Sequence, residues 1–295
     1  MKRLRDLGED ALIARVLRGF PGGKTLAVGP GDDCAVVDPG RGPLRLLKTD
    51  AIVEGVHFLP GTPPEKTGWK AVARVLSDFA AMGGSPEHLL VTVAVDAGRP
   101  VAWMDGLYRG IRKCLATHGG VLAGGETTRL PAGALISVAG EGKVGRKHLV
   151  LRSGGQPGDL VAVTGRLGGS IRGKHLTFTP RLAEAAWLVR QLRPSAMMDL
   201  SDGIAKDLPR LAAASGCGFE IGDIPVTRGC TREQALGDGE DYELLFSVSE
   251  RNWKSAIHSW DSAFPKLPLN IIGRLTKPGA TMILKGGWDH FDPAR

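Results

Sequence analysis

The chain has 295 residues, of which 42% are hydrophobic and 23% charged, a balance that excludes disordered and fibrous classes and predicts about two globular domains. Its net charge of +7 is carried by dispersed Lys and Arg with no aromatic-interleaved basic stripe, so the charge reads as attraction for anionic substrates and no nucleic-acid partner is expected. The four cysteines, Cys34, Cys114, Cys217 and Cys230, form no C-x-x-C pair, which argues against a zinc site or a disulfide framework and fits free thiols in a reducing cytoplasm.

The N-terminus is basic but has no apolar h-region, so no signal peptide is expected. Residues 9–18 predict a short amphipathic helix. Residues 36–37 and 44–48 predict strands on either side of the turn PGRGP at 39–43. Trp69, Val72, Leu76 and Phe79 recur at helical spacing and predict a helix over 69–82. A buried strand is expected at 89–95, an apolar run too short to span a membrane. A second helix over 103–117 stops at Gly119 and Gly120. Short strands follow at 121–123 and 134–140, then a Gly/Lys/Arg-rich linker over 142–158. A strand at 160–164 opens the second half, with a helix near 181–192, a helix after Gly203, a strand at 242–248 and a hairpin over 269–285 that turns at Pro278 and Gly279. Pro209 suits the helix after Gly203 only if that helix begins near Asp207. The mixture predicts an α/β (α+β) fold of two domains, 1–146 and 147–295.

Chemistry is concentrated in five short acidic clusters: GPGDDCAVVD (29–38), KTDAIVEGVHF (48–58), VLSDFAAMGG (75–84), AGGETTR (123–129) and MMDLSDG (197–203). Each sets carboxylates against glycine or an apolar run, and carboxylates are rarely buried unless paired or bound to a cation. Five such clusters predict a shared site for hard cations, with magnesium and a nucleotide phosphate as the commonest occupants. Each cluster also has a bland reading. Asp32 and Asp33 suit an Asx turn. Asp78 has Arg74 at i,i+4, in the weaker orientation. Asp199 and Asp202 could cap the helix that follows them. Against these stand Asp50 at a strand end, Asp78 beside a buried helix face, and Gly124–Gly125, where backbone can approach a phosphate, next to Glu126. The helix after Asp202 also offers an N-terminal anion site around Ser201.

RGFPGGKT (18–25) is not a P-loop, because Arg18 stands where the motif needs glycine, and GRLGGS (165–170) lacks the lysine. ATP is therefore expected to be held by metals and loop backbone. GDGEDYELLF (237–246) sets Glu240 and Asp241 at a turn, and GGWDHF (286–291) places Trp288 near the C-terminus. An isolated Trp such as Trp288, or a lone His such as His57, is more often a packing residue.

The ordered set GDDCAV (31–36), TDAIVEGVHF (49–58), LSDFAAMGGSP (76–86), GGETTR (124–129), RSGGQPGD (152–159), VTGRLGG (163–169), DLSDGIAKDL (199–208), GEDYELLF (239–246) and GWDHF (287–291) resembles the thiamine-monophosphate kinases, of the superfamily that includes aminoimidazole ribonucleotide synthetase. The resemblance covers nearly the whole chain. It implies direct transfer of the ATP γ-phosphoryl group to thiamine monophosphate, with several magnesium ions. On that resemblance Asp33, Thr49, Asp50, Asp78, Asp199 and Asp202 match magnesium ligands, with Asp32 adjacent, and Asp50 and Asp202 are the leading catalytic candidates. Arg152, Ser201 and Tyr108 match nucleotide contacts, with Gly124 and Gly125 beside them. His57, Glu240 and Trp288 match thiamine-phosphate contacts. The family fold pairs N-terminal sheets into a dimeric barrel flanked by C-terminal α/β domains, which implies a cytoplasmic homodimer with no membrane partner.

Some positions depart from the family pattern. Glu126 stands for the usual aspartate, Lys48 for a small hydroxyl residue, Val75 for asparagine and Gly169 for an acidic residue, and the stretch 170–181 is shortened. These departures keep two alternatives open: another ATP-dependent enzyme of the superfamily, and a non-catalytic paralogue that binds thiamine phosphates.

Overall fold

The computed structural model describes residues 3–20, 22–279 and 282–291. After helix α1 (Glu9–Val16) come strands β1 (Leu26–Val28), β2 (Ala35–Val37) and β3 (Leu44–Val53), helix α2 (Pro64–Ala81), strand β4 (Ser85–Val95), helix α3 (Val101–His118), and strands β5 (Val121–Arg129) and β6 (Ala134–Val144). The six strands form one sheet in the order β1-β2-β3-β6-β4-β5. Only β4 and β5 run parallel, and α3 is the crossover that such a pair requires.

The remaining strands are β7 (Leu160–Thr164), β8 (Ala196–Asp199), β9 (Gly218–Ile221), β10 (Leu244–Val248) and β11 (Leu269–Thr276). They form a second, antiparallel sheet in the order β8-β10-β7-β11-β9. Helices α4 (Leu182–Trp187), α5 (Ile204–Ala214), α6 (Arg232–Gly237) and α7 (Glu250–Ala263) pack around it, and a π-helical turn over Leu188–Leu192 continues α4. The fold is therefore mixed α/β, as the sequence predicts. No helix among the described residues is long and apolar enough to cross a membrane.

α2 organises the molecule. Its Val72, Val75, Leu76 and Phe79 fill the core of the first sheet, while Ala80 and Ala81 belong to a second core with Leu160, Leu244, Phe246 and Trp260. On β3, strand alternation sends Leu44, Leu46, Lys48, Asp50 and Ile52 to one side and leaves Leu47 and Thr49 exposed on the other. The α2 side of the sheet is closed. The opposite face exposes Leu47 and Leu90, and every residue of β5 is exposed.

Several sequence expectations change. α2 starts at Pro64, not near 69, because Pro suits the first helical position. α5 starts at Ile204 and runs through Pro209, not from Asp207. β6 continues to Val144, into the expected linker. β11 pairs with β7 and β9 in place of a hairpin return strand; residues 280 and 281 of that hairpin lie outside the described residues. The strands β1, β8 and β9 and the helices α6 and α7 lie outside the elements the sequence predicts.

Gly68 and Gly110 let α2 and α3 touch backbone to backbone: a Cβ on Gly110 would lie 1.9 Å from the Glu65 carbonyl oxygen. Gly110→Ala should therefore cost about 1–3 kcal/mol despite alanine's better helix propensity. Gly23→Ala, with nothing within 4 Å of its Cβ, should stay within about 0.5 kcal/mol of wild type. Urea unfolding of the two variants compares them; equal midpoints would show that the helices separate freely.

Candidate active site

Three carboxylates from distant parts of the chain converge. Asp33 precedes β2, Asp78 lies near the end of α2, and Asp199 ends β8. All three are buried, with oxygens within 4.8 Å of one another. Asp33 accepts hydrogen bonds from the Arg152 guanidinium at 2.5 and 3.2 Å through Oδ1, and its Oδ2 has no hydrogen-bond partner among the described residues. Ser77 donates to Asp199 at 2.5 Å. Lys48 Nζ sits 2.7 Å from Asp78 Oδ1.

Burial pushes Asp78 well above the usual carboxylate range, with Lys48 opposing and Asp199 and Asp50 adding to the rise. Burial and the Asp33 charge raise Asp199 to about 6. The same two causes raise Asp32 to about 6, even though its oxygens accept the Asp33 and Arg152 backbone N–H groups, each at 3.0 Å. The cluster is short of positive charge, and its donors are all carboxylate oxygens, the ligands a hard divalent cation takes.

A cleft of about 1260 Å³ opens over this cluster and is lined by Asp32, Asp50, Asp78, Asp199, Ser201 and Asp202. Arg152, His57, Glu240 and Trp288 also face it. Arg74 does not pair with Asp78, its helical neighbour, but with Asp50 at 2.9 Å. Gly203 leads into α5 with no side-chain cap, so Asp199 and Asp202 are not spent on capping. Asp202 instead faces Arg210 at 2.6 Å. Arg210 also reaches Asp10, at 2.7 Å, and Lys206 bonds Glu9 at 3.0 Å and the Trp288 carbonyl at 2.7 Å. Those contacts fasten α1 and the Trp288 segment to α5.

A second buried group stands beside the first. The Lys70 ammonium is fully buried and donates to the His57 carbonyl at 2.6 Å and to Glu240 at 2.8 Å. His175 Nδ1 lies 3.0 Å from the same Glu240 oxygen. Burial pushes Lys70 down to about 8, opposed by Glu240. Burial alone would raise Glu240, but the His175 hydrogen bond and the Lys70 charge hold it at about 2. Burial and the Arg74 charge lower His57 to about 4. Its Nδ1 accepts the Val53 N–H at 3.1 Å, so the neutral ring carries its proton on Nε2. Glu240 and Tyr242 have φ of 54° and 50°, a costly conformation for such residues. Their N–H groups are pinned to the carbonyls of Ser201 and Leu200 at 2.7 and 2.8 Å.

Residues 31–144 match the AIR synthase related protein N-terminal domain. The chain is 33% identical to the thiamine-monophosphate kinase of Escherichia coli strain K12, over 96% of this chain and 98% of that one. It is 31% identical to the thiamine-monophosphate kinase of Bacillus subtilis strain 168, over 90% and 93%. Its structure matches that of AaThiL complexed with AMPPCP and TMP with a TM-score of 0.86 at 29% identity, covering 98% and 99% of the two chains. The chain belongs to the thiamine-monophosphate kinase family.

Not every residue matched to a thiamine-monophosphate kinase role reaches the cleft. Thr49 points to the open face of the first sheet, and Tyr108 packs against the first core. Gly124, Gly125 and Glu126 lie on exposed β5. Gly125 has a structural reason of its own, since a Cβ there would sit 1.9 Å from the Val91 carbonyl oxygen. Gly169, where the family often has an acid, adopts φ 73°, and a Cβ there would lie 2.4 Å from Cys230 Sγ. Sequence reasoning missed Lys70 and His175. Lys70 did carry a signal: a charged residue flanked by the apolar positions Trp69, Ala71 and Val72.

The raised carboxyls set a pH dependence for the metal-free protein. A carboxyl raised on folding stabilises the protein below its ordinary value, 3.8, and that contribution is lost as pH rises through the folded value. For Asp32 and Asp199 the loss ends near about 6. Burial raises Asp241 to about 7, and burial with the Asp202 charge raises Asp207 to about 8, so their losses extend further. His57 opposes them between its ordinary 6.5 and about 4, and Lys70 opposes them from about 8 up to its ordinary 10.5. The metal-free melting temperature should therefore fall between about pH 6.5 and about 7.5, and Asp207→Asn should flatten that slope. A flat or rising wild-type profile in calorimetry would contradict the electrostatic account.

Proposed function

We propose that this chain transfers the γ-phosphoryl group of ATP to the phosphate of thiamine monophosphate, giving thiamine diphosphate, as a magnesium-dependent homodimer in the cytoplasm. The observation that carries the reading is the convergence of Asp33, Asp78 and Asp199 beneath a cleft that also holds His57, Glu240 and Trp288. The kinship with thiamine-monophosphate kinases supports the substrate pair, because AaThiL is complexed with AMPPCP and TMP. The cleft takes residues from both 1–146 and 147–295, which supports a nucleotide- and metal-binding first domain completed by the second.

The acceptor is a phosphate oxygen, largely anionic near neutral pH, so no strong general base is needed. The barrier is repulsion between two polyanions, and catalysis is a matter of position and charge. Magnesium held by Asp33, Asp78 and Asp199, with Asp50 and Asp202 nearby, would neutralise and align the phosphates. Arg152 adds a fixed positive charge at the same wall. His57, neutral with its proton on Nε2, can donate to a phosphate oxygen without a change of charge. Lys70 and His175 keep Glu240 ionised, and an ionised Glu240 with the Trp288 ring suits the cationic thiazolium of thiamine. Incubation with ATP, magnesium and thiamine monophosphate, followed by separation of the thiamine phosphates, tests the reading. Absence of thiamine diphosphate above background would remove it in favour of another superfamily substrate or a binding-only role.

A cation over an indole face gains ~0.5–2 kcal/mol. Trp288→Ala should accordingly raise the KM for thiamine monophosphate by up to roughly thirtyfold and leave the KM for ATP and the melting temperature near wild type. If both KM values and the melting temperature move together, Trp288 is a packing residue.

The open face of the first sheet supports the homodimer and its barrel. Leu47 and Leu90 are 44% and 50% exposed there, and Val121 on edge strand β5 is 62% exposed, an apolar surface that water disfavours. Leu90→Arg should give a monomer in sedimentation velocity; a dimer that survives it would place the interface elsewhere.

A further inference from the structure

We propose that Lys48 is a tethered cation that takes the place of one divalent ion in the carboxylate cluster, so that this chain binds fewer metal ions than its carboxylates could hold. The inference rests on the metal-site reading given above. It is carried by the position of the ammonium.

Strand alternation on β3 points Lys48 and Asp50 toward α2, and Lys48 Nζ lies 2.7 Å from Asp78 Oδ1. It therefore occupies Oδ1 of Asp78, one of the three carboxylates of the buried triad with Asp33 and Asp199. Lys48 also lines the cleft, so its charge borders the space in which phosphates would sit. The other two cations at the cluster each hold a different carboxylate, Arg74 holding Asp50 at 2.9 Å and Arg152 holding Asp33 at 2.5 Å.

Charge balance gives the consequence. Asp32, Asp33, Asp50, Asp78 and Asp199 face three fixed cations, Lys48, Arg74 and Arg152. The two negative charges left over are what a single divalent ion neutralises. The Oδ2 of Asp33, unpartnered among the described residues, offers a lone pair to that ion. A neutral oxygen-bearing side chain at position 48 would release Asp78 and leave a third negative charge, which favours a further divalent ion. An ammonium cannot ligate a metal, and it repels one that approaches the oxygen it holds.

Binding of Mn2+ to the full chain, followed by loss of the free-ion electron paramagnetic resonance signal, tests this without recourse to turnover. Lys48→Ser and Lys48→Gln each supply a neutral oxygen. Either variant should bind one more Mn2+ per chain than wild type and show a larger rise in melting temperature on Mn2+ addition, whereas Lys48→Arg should match wild type. Should the Ser variant fail to fold, the Gln variant carries the test. If every folded neutral variant binds the same number of ions as wild type with the same thermal response, Lys48 is a structural ion-pair partner and the proposal is overturned. A wild type that binds no Mn2+ overturns the metal-site reading itself, and this proposal with it.

Discussion

Asp33, Asp78 and Asp199 repel one another, and the fold holds them together out of water. Their oxygens lie within 4.8 Å, although each comes from a different element and could have pointed elsewhere. Arg152 and Lys48 offset the charges of Asp33 and Asp78, whereas Asp199 has only the Ser77 hydroxyl, and burying a carboxylate without a counter-charge costs several kcal/mol. Packing can sustain that cost: Val72, Val75, Leu76 and Phe79, all on α2, are completely buried, and such side chains contribute about 1.5–3 kcal/mol each. A cation bound there, as proposed, would offset that cost, and the apolar core of α2 sustains the arrangement without one.

α2 also explains how the two halves of the cleft are aligned. Lys70, Arg74, Ser77 and Asp78 recur at spacings that place them on one stripe of the helix. Their partners are Glu240, Asp50, Asp199 and Lys48 respectively. A single rigid element therefore sets the spacing between the carboxylates proposed to hold metal and the Glu240 end proposed to hold thiamine. The apolar side chains of this helix are divided between two cores. Movement of either sheet against α2 would disturb both ends of the site together.

How much of this was legible depended on the signal each segment carried. The apolar period of α2 announced that helix. α7 did not announce itself, because ERNWKSAIHSWDSA buries only Ala256 and Trp260. β8 is four residues long and buried throughout, so it shows no alternation and only its acids stand out in the sequence. Residue type and local spacing were enough to mark the carboxylates of the triad as candidates. They could not assign the ion pairs. Arg74 looked like the partner of Asp78 by helical spacing, yet the strand that crosses α2 supplies Lys48 in its place. The Lys70–Glu240 contact joins residues 170 positions apart, and only the assembled chain displays it.

The exposed strand β5 shows a different limit. The sequence suggests a strand ending at residue 123 and a close backbone approach to phosphate at Gly124–Gly125, but the strand continues along the sheet edge through Arg129. Gly125 fits there because β4 passes too close for a side chain. Thr49 lies on the open face of the same sheet, away from Asp50, its immediate neighbour. One residue of register separates a side chain that faces the carboxylate cluster from one that faces away. If the open face closes against a second copy, as proposed, then Thr49 and Glu126 belong to the assembly more than to the cleft of one chain. Ordered motifs along a sequence report shared ancestry for all of these residues at once. Burial and register then divide them between the site that a single chain builds and the surface it presents.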